Sequence, residues 1–452
     1  MTMTAPTGMD LVWPAEPRAR TLATELYDSV AERPLVSVHN GLPARFLAED
    51  VPFTDPISLL VSHDQGVQAL LRAHGIRAEF SAIEGWQTGR ASRQAFALLW
   101  QHMVDVQSRP WMVMGSDEIS PGAELPPFRT GQDPDEVYDE LAARLADRPL
   151  YPRRVLAAAQ IGRFATSDDP ADDLQAHQVL AEDPHWTGRV TPTFSPDRYL
   201  DPGLRSWRTD ADLLAEVTGV GTEDLAGFRE ALRVRRAYFQ ARGAVASEHH
   251  STDVSVTRLS DREADQLYAL ARSGELLPAE ATALEGHLLW EIGRMAADDG
   301  LMMALYPPAG FHAGPLAESG HDDRGVADRV RSLLTDFGAA PAFLLRLFTI
   351  DTEAYGHEIL PLAAAQPALT AVPPTRFADD PATLRAVRVA AVEAMGAGRS
   401  LGIVDDMSGP FALAYRHRLG RRLDAGALAE LVVAGRLSAE RAQAELAAAI
   451  QG

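Results

Sequence analysis

Gly243-Ala244-Val245-Ala246-Ser247-Glu248-His249-His250 condenses one structural unit into a short stretch. Before it, Phe228 to Arg242 carries apolar residues at helical spacing, and Gly243 stands where a helix would end. The run Gly243 to Glu248 then reads as a buried strand, and it closes on a carboxylate and two imidazoles. Helix, strand and polar cluster in that order form the repeating unit of a parallel α/β fold.

The same order recurs on both sides. Strands are expected at Leu35 to His39, Gln160 to Thr166, Val190 to Phe194, Leu301 to Tyr306, Phe343 to Ile350, Leu369 to Val372 and Leu401 to Val404. Helices are expected at Ala279 to Asp298, Asp323 to Phe337 and Pro381 to Met395, with Gly300 and Gly338 at their ends. About eight strands alternating with helices is the count of a (β/α)8 barrel, whose core takes roughly 250 residues, so the remainder must lie in insertions.

The largest insertion follows the first strand. Residues 50–149 show helical patterns at Asp55 to Ala73, Ser92 to Gln107 and Pro134 to Ala146, and read as a helical cap over the barrel mouth. The expected organisation is an N-terminal tail and helix (1–34), the first strand and loop (35–49), the cap (50–149), the rest of a distorted α/β barrel (150–414) and a helical tail (415–452).

Composition excludes whole classes of chemistry. The 452 residues carry 42 basic and 63 acidic side chains, a net charge of −21, which disfavours nucleic acid and anionic membranes as partners. There is no cysteine and no lysine, every basic residue being arginine. Thiolate chemistry, iron–sulfur clusters and covalently bound pyridoxal phosphate are therefore ruled out. Met1 to Trp13 lacks the basic and apolar regions of a secretory signal, so a cytoplasmic protein is expected.

Functional residues of such a barrel lie at strand C-termini. Those positions hold His39, Asp168 and Asp169, Ser195 and Asp197, Glu248 to His250, Tyr306 with His312 nearby, Thr349 and Asp351, and Asp405 and Asp406. Imidazoles and carboxylates in one mouth can hold zinc, manganese or iron, and can also move protons. Asp168-Asp169-Pro170 is equally readable as a turn that starts a helix.

In segment order the chain resembles the uronate (glucuronate) isomerase family of the amidohydrolase superfamily, from about Arg18 to about Arg422. Leu35 to Pro43 resembles the family's first strand, which ends His-x-His-Leu-Pro, and Phe164 to Pro170 its Thr-Thr-Asp-Asp-Pro segment. Thr193 to Asp197 is similar to its Ser-Trp/Phe-Arg-Pro-Asp, and His249-His250 through Asp253 to its Asp-His-x-x-Asp. Gly402 to Asp406 with Tyr415-Arg416-His417 is similar to its last strand and the following helix.

The resemblance implies a divalent metal held by His39 and Asp406, with His250 and His312 completing the set, or a site that has lost its metal. Position at strand ends makes Asp406, His39 and His250 the acid/base candidates and Ser195, Asp197 and His312 substrate contacts, and Arg163 and Arg416, the arginines nearest the site in sequence, could restore an anion contact from a new direction.

Departures from the family pattern set the functional expectation. Gly41 replaces the second histidine, Gln65-Gly66 a His-Tyr pair, Ser195 an arginine, and Met407-Ser408-Gly409 follows where another arginine is normal. Without those bidentate partners an anionic sugar loses its grip. The main expectation is therefore a metal-assisted lyase, hydrolase, condensing enzyme or isomerase acting on a small polar or cyclic metabolite, but not on ordinary uronates. The alternatives are a retained aldose–ketose isomerase and a non-catalytic scaffold, and either could be a homo-oligomer.

Overall fold

A computed structural model describes residues 12–38, 42–57, 90–104, 132–250, 255–306, 325–349, 352–374, 381–404 and 410–450. Seven strands lie in one sheet in sequence order: β1 (Leu35–Ser37), β2 (Ile161–Asp168), β3 (Arg189–Phe194), β4 (Ala246–His249), β5 (Met302–Leu305), β6 (Leu345–Leu347) and β7 (Leu369–Ala371). The pairings of β1 with β2 and of β3 through β7 are parallel. Parallel neighbours need crossovers, and helices supply them, as at Leu225–Gln240 before β4 and Pro278–Asp299 before β5. This is the sequential α/β winding anticipated for a barrel.

The eighth expected strand, Leu401 to Val404, does not form. Gly402 has φ of 78°, in the left-handed region, and its N–H donates to Asp424 Oδ2 at 2.9 Å rather than to a neighbouring strand. One left-handed residue ends an extended run. The expected helix from Asp323 to Phe337 is divided into Val326–Arg329 and Arg331–Phe337, whereas Pro381–Met395 forms as a single helix.

Contacts divide the chain into two compact units. The first comprises residues 1–166, 175–190 and 373–452. In it, two helices of the long insertion, Arg90–Val104 and Pro134–Asp147, bury Phe96, Trp100, Tyr138 and Leu141 in one apolar cluster with Leu35, Ile161 and Phe164 of β1 and β2. Asp55 anchors that insertion, accepting hydrogen bonds from Ser92 Oγ and Tyr138 Oη, each at 2.5 Å. The long helix Pro410–Val433, which precedes the last helix Ala439–Ala449, is buried nearly all round over residues 416–429, and Arg421 donates from it to the carbonyls of Val30, Arg33 and Pro34.

The second unit comprises residues 167–174 and 191–372 and contains β4 to β7. Its aromatic core joins Trp207, Phe228 and Tyr268, with Trp207 Nε1 donating to the carbonyl of Tyr199 at 2.7 Å.

Candidate active site

Register decides which side chains share a face in the second unit. Residues paired across parallel strands project to the same side, and the side alternates along each strand. Ser247, Met303, Leu345 and Leu369 form one row, and His249, Leu305, Leu347 and Ala371 continue that face. All of these are buried. The opposite face carries Glu248, Ala304, Arg346 and Thr370. By the same alternation His250, Tyr306 and Phe348 continue it beyond the strand ends.

The rings confirm the alternation. His250 stacks on Tyr306 with centroids 4.9 Å apart and planes 16° from parallel, and Tyr306 stacks on Phe348 at 4.2 Å and 20°. A ladder of three rings thus caps β4, β5 and β6.

His250 is further held by a carboxylate. Asp197 opens the short helix Asp197–Leu200 after β3, and its Oδ2 accepts the backbone N–H of His250 at 3.0 Å and lies 2.9 Å from His250 Nδ1. Burial opposes ionisation of Asp197, but the hydrogen bond and charge of His250 outweigh it and bring the carboxyl below its ordinary range. An ionised Asp197 selects the Nδ1–H tautomer and directs the basic lone pair to Nε2. The pair borders a cavity of about 310 Å³ lined also by Leu200, His249, Glu285 and Leu289.

His249 behaves differently. It shares the apolar face, its Nε2 sits 3.1 Å from Ser247 Oγ, and its Nδ1 makes no hydrogen bond among the described residues. Burial pushes its pKa down to about 3, so it is neutral near pH 7 and acts in packing.

The other strand ends are tied together by hydrogen bonds. Ser167, near the end of β2, donates to Glu248 Oε1, and Ser195 N–H donates to the carbonyl of Asp168 at 3.0 Å. Asp169 accepts from Ala171 N–H at 2.8 Å and pairs with Arg198 Nε at 2.7 Å, so this segment is a turn, but it does not start a helix as expected, the next helix beginning at Gln175.

Of the expected site residues, Ser195, Asp197 and His250 are therefore brought to one end of β3 and β4. Arg163 is not: it lies near the start of β2, paired in register with Val36, because strand position rather than nearness in sequence sets which end a side chain occupies. Arg416 is buried on the helix Pro410–Val433 in the first unit. His39, His312 and Asp406 lie outside the described residues. Among the described residues no group of three His, Cys, Asp or Glu side chains could hold a metal ion. Tyr306 was visible as a strand end, but Arg346 and Phe348 were missed. The only signal for Arg346 was a single arginine inside an otherwise apolar strand.

Parallel strands wound in sequence, with a carboxylate and an imidazole paired beyond the C-termini of β3 and β4, are the framework of an α/β barrel. Residues 18–310 match the family model for glucuronate isomerase. The uronate isomerase of Cutibacterium acnes is 35% identical over 447 residues, covering 96% of this chain and 94% of that protein. That of Rhizorhabdus wittichii is 34% identical over 448 residues, again covering 96% and 94%. This chain belongs to the glucuronate isomerase family. The crystal structure of glucuronate isomerase from Caulobacter crescentus is similar at a TM-score of 0.84 and 26% identity, covering 97% of this chain and 94% of that one. Uronate isomerase from Thermotoga maritima shares the fold at a TM-score of 0.82 and 21% identity, covering 99% and 98%.

These matches overturn the expectation of a lyase, hydrolase or other non-uronate chemistry. Proteins similar along nearly their whole length are uronate isomerases, and a few substituted positions do not outweigh that.

Proposed function

We propose that this protein interconverts an aldose uronate and the corresponding ketose. The observation that carries the proposal is the near end-to-end match to the Cutibacterium acnes enzyme at 35% identity. The reaction removes a proton from the carbon beside the carbonyl and returns one to the former carbonyl carbon. An oxygen-bound proton moves in the same direction, from the hydroxyl beside the carbonyl to the former carbonyl oxygen, through an enediol, so atoms and charge balance without a redox partner. Two groups are needed: one to carry the carbon-bound proton and one to shuttle between the oxygens.

Asp406 or His39 is assigned the carbon proton, and His250 the exchange with oxygen, since Asp197 fixes its ring and leaves Nε2 as the basic nitrogen. His39, Asp406, His250 and His312 are the donors proposed for a divalent ion of the zinc, manganese or iron type. His250 fills one of these two roles and not both, since a metal on Nε2 takes the lone pair that the proton exchange would use; the carboxylate on Nδ1 supports either. When bound, such an ion polarises the substrate carbonyl. Ser195 and Asp197 border the substrate, which is a small sugar acid.

The test is an assay of glucuronate, galacturonate and fructuronate with zinc, manganese or iron supplied. Turnover above about 1 per second is expected, within the ordinary enzyme range. Metal-loaded, folded protein that leaves all three sugars unchanged would overturn the proposal.

A further inference from the structure

Arg346 is the one side chain of β6 on the same face as Glu248 and the ring ladder. Its Nε is fully enclosed and makes no hydrogen bond among the described residues, while the residue as a whole is half-buried. Other enclosed arginines do have an acidic or carbonyl partner: Arg236 meets Asp299, Arg388 Asp424, Arg229 Glu291 and Arg385 Glu430, and Arg235 and Arg421 donate to backbone carbonyls, although Arg236 and Arg229 each also keep one nitrogen without a hydrogen bond among the described residues. An enclosed cation without a partner is costly unless an anion joins it.

The surroundings have the dimensions of a ligand site. Ala304 stands between Glu248 and Arg346 in the register row. Two strand spacings, about 10 Å, therefore separate an acid from a base across a methyl group. Tyr306 and Phe348 stand two residues further along the same strands, above Ala304 and Arg346. The row offers a cation at one end, a hydrogen-bond acceptor at the other and aromatic cover over the gap, which suits a chain of hydroxylated carbons ending in a carboxylate. Burial also presses the Arg346 pKa below its ordinary value, a cost that a bound carboxylate would offset.

We infer that Arg346 binds the carboxylate of the sugar acid, replacing from β6 the arginine contact that Ser195 cannot make after β3. The inference rests on the uronate isomerase proposal for the identity of the ligand, but its test is separable. Wild type, Arg346→Met and Arg346→Lys are compared by calorimetry and thermal melting with galactarate, a six-carbon sugar diacid, with galactitol, its neutral counterpart, and with sulfate. KM for glucuronate is measured alongside.

Arg346→Met should melt at or above the wild type without ligand, because an unpaired enclosed charge has been removed. It should lose galactarate binding by about 100-fold, as expected for a charge-assisted bidentate pair, while Arg346→Lys keeps part of it. Galactitol should not distinguish the proteins, and KM should rise more than kcat falls.

Unchanged galactarate binding in Arg346→Met, or a lower melting point without ligand together with unchanged binding, would make Arg346 a structural cation and overturn the inference. Sulfate binding through Arg346 as tightly as galactarate would overturn the sugar-acid assignment. Wild type that binds galactarate through Arg346 yet turns over no uronate would leave the anion site standing and remove the isomerase proposal instead.

Discussion

Asp197 holds His250 twice through one oxygen: Oδ2 accepts the backbone N–H at 3.0 Å and meets Nδ1 at 2.9 Å. The first contact fixes the loop after β4, and the second fixes the ring and its tautomer. Asp197→Asn keeps the shape but removes the charge that selects Nδ1–H. Loss of a carboxylate behind a working imidazole costs about 10–100-fold, so kcat/KM for glucuronate should fall by that range with little change in melting temperature. Equal kinetics in the variant would show that the pair only braces the loop.

Acid should act on His249 before it acts on the carboxylates. In the fold this ring stays neutral down to about pH 3, whereas an unfolded histidine takes a proton below about 6.5. Between those values the unfolded state binds more protons, so stability falls as pH drops, by up to about 1.4 kcal/mol per unit. His249→Asn should show a flatter dependence of the urea midpoint between pH 6.5 and 4.5. Parallel wild-type and variant curves across that window would contradict the assignment. Asp197 acts lower: its depressed pKa contributes stability above the unfolded carboxyl value that is lost as pH falls through its folded one.

In the first unit, the buried pair of Arg388 Nε and Asp424 Oδ1 at 2.8 Å secures the segment where an eighth strand was expected, since Asp424 also accepts Gly402 N–H. Burial raises the Asp424 pKa despite Arg388, so the carboxylate depends on its partner. Arg388→Met should destabilise by about 3–5 kcal/mol, the usual cost of orphaning a buried charge. Adding Asp424→Leu should recover much of it. Denaturant titrations of both single variants and the double variant measure the coupling, and additive losses would show that the ions act independently.

Sequence showed the parts of this fold that rest on uninterrupted patterns. β4 to β7 are short apolar runs between helices of strong period, and each was located to within a few residues. The run Leu401 to Val404 is equally apolar, but a left-handed Gly402 turns it aside, and backbone sign is not written in hydropathy. Asp197 and His250 were legible because both follow strand ends. Arg346 was not, since only strand register shows that it faces Glu248 across Ala304. The functional misreading has the same origin. Lost arginines were judged at aligned positions, whereas a pocket assembled from several strands can receive its cation from another one.

The ring ladder yields the sharpest prediction about positioning. Tyr306 lies between His250 and Phe348, and it is the ring rather than a hydrogen bond that meets the imidazole face. Tyr306→Phe preserves both stacks, while Tyr306→Leu keeps apolar bulk and removes the flat surface. Aromatic pairs contribute about 0.5–1.5 kcal/mol beyond burial, or up to about tenfold in a population. Tyr306→Leu should therefore lower kcat by up to about tenfold while KM for glucuronate holds, because the ring orients His250 and leaves the carboxylate contact alone. Tyr306→Phe should stay within about twofold, a small fraction of a stacking energy. The imidazole proton signals of His250 should broaden in the leucine variant alone. Leucine and phenylalanine variants with the same kcat would show that Asp197 is sufficient to hold the ring.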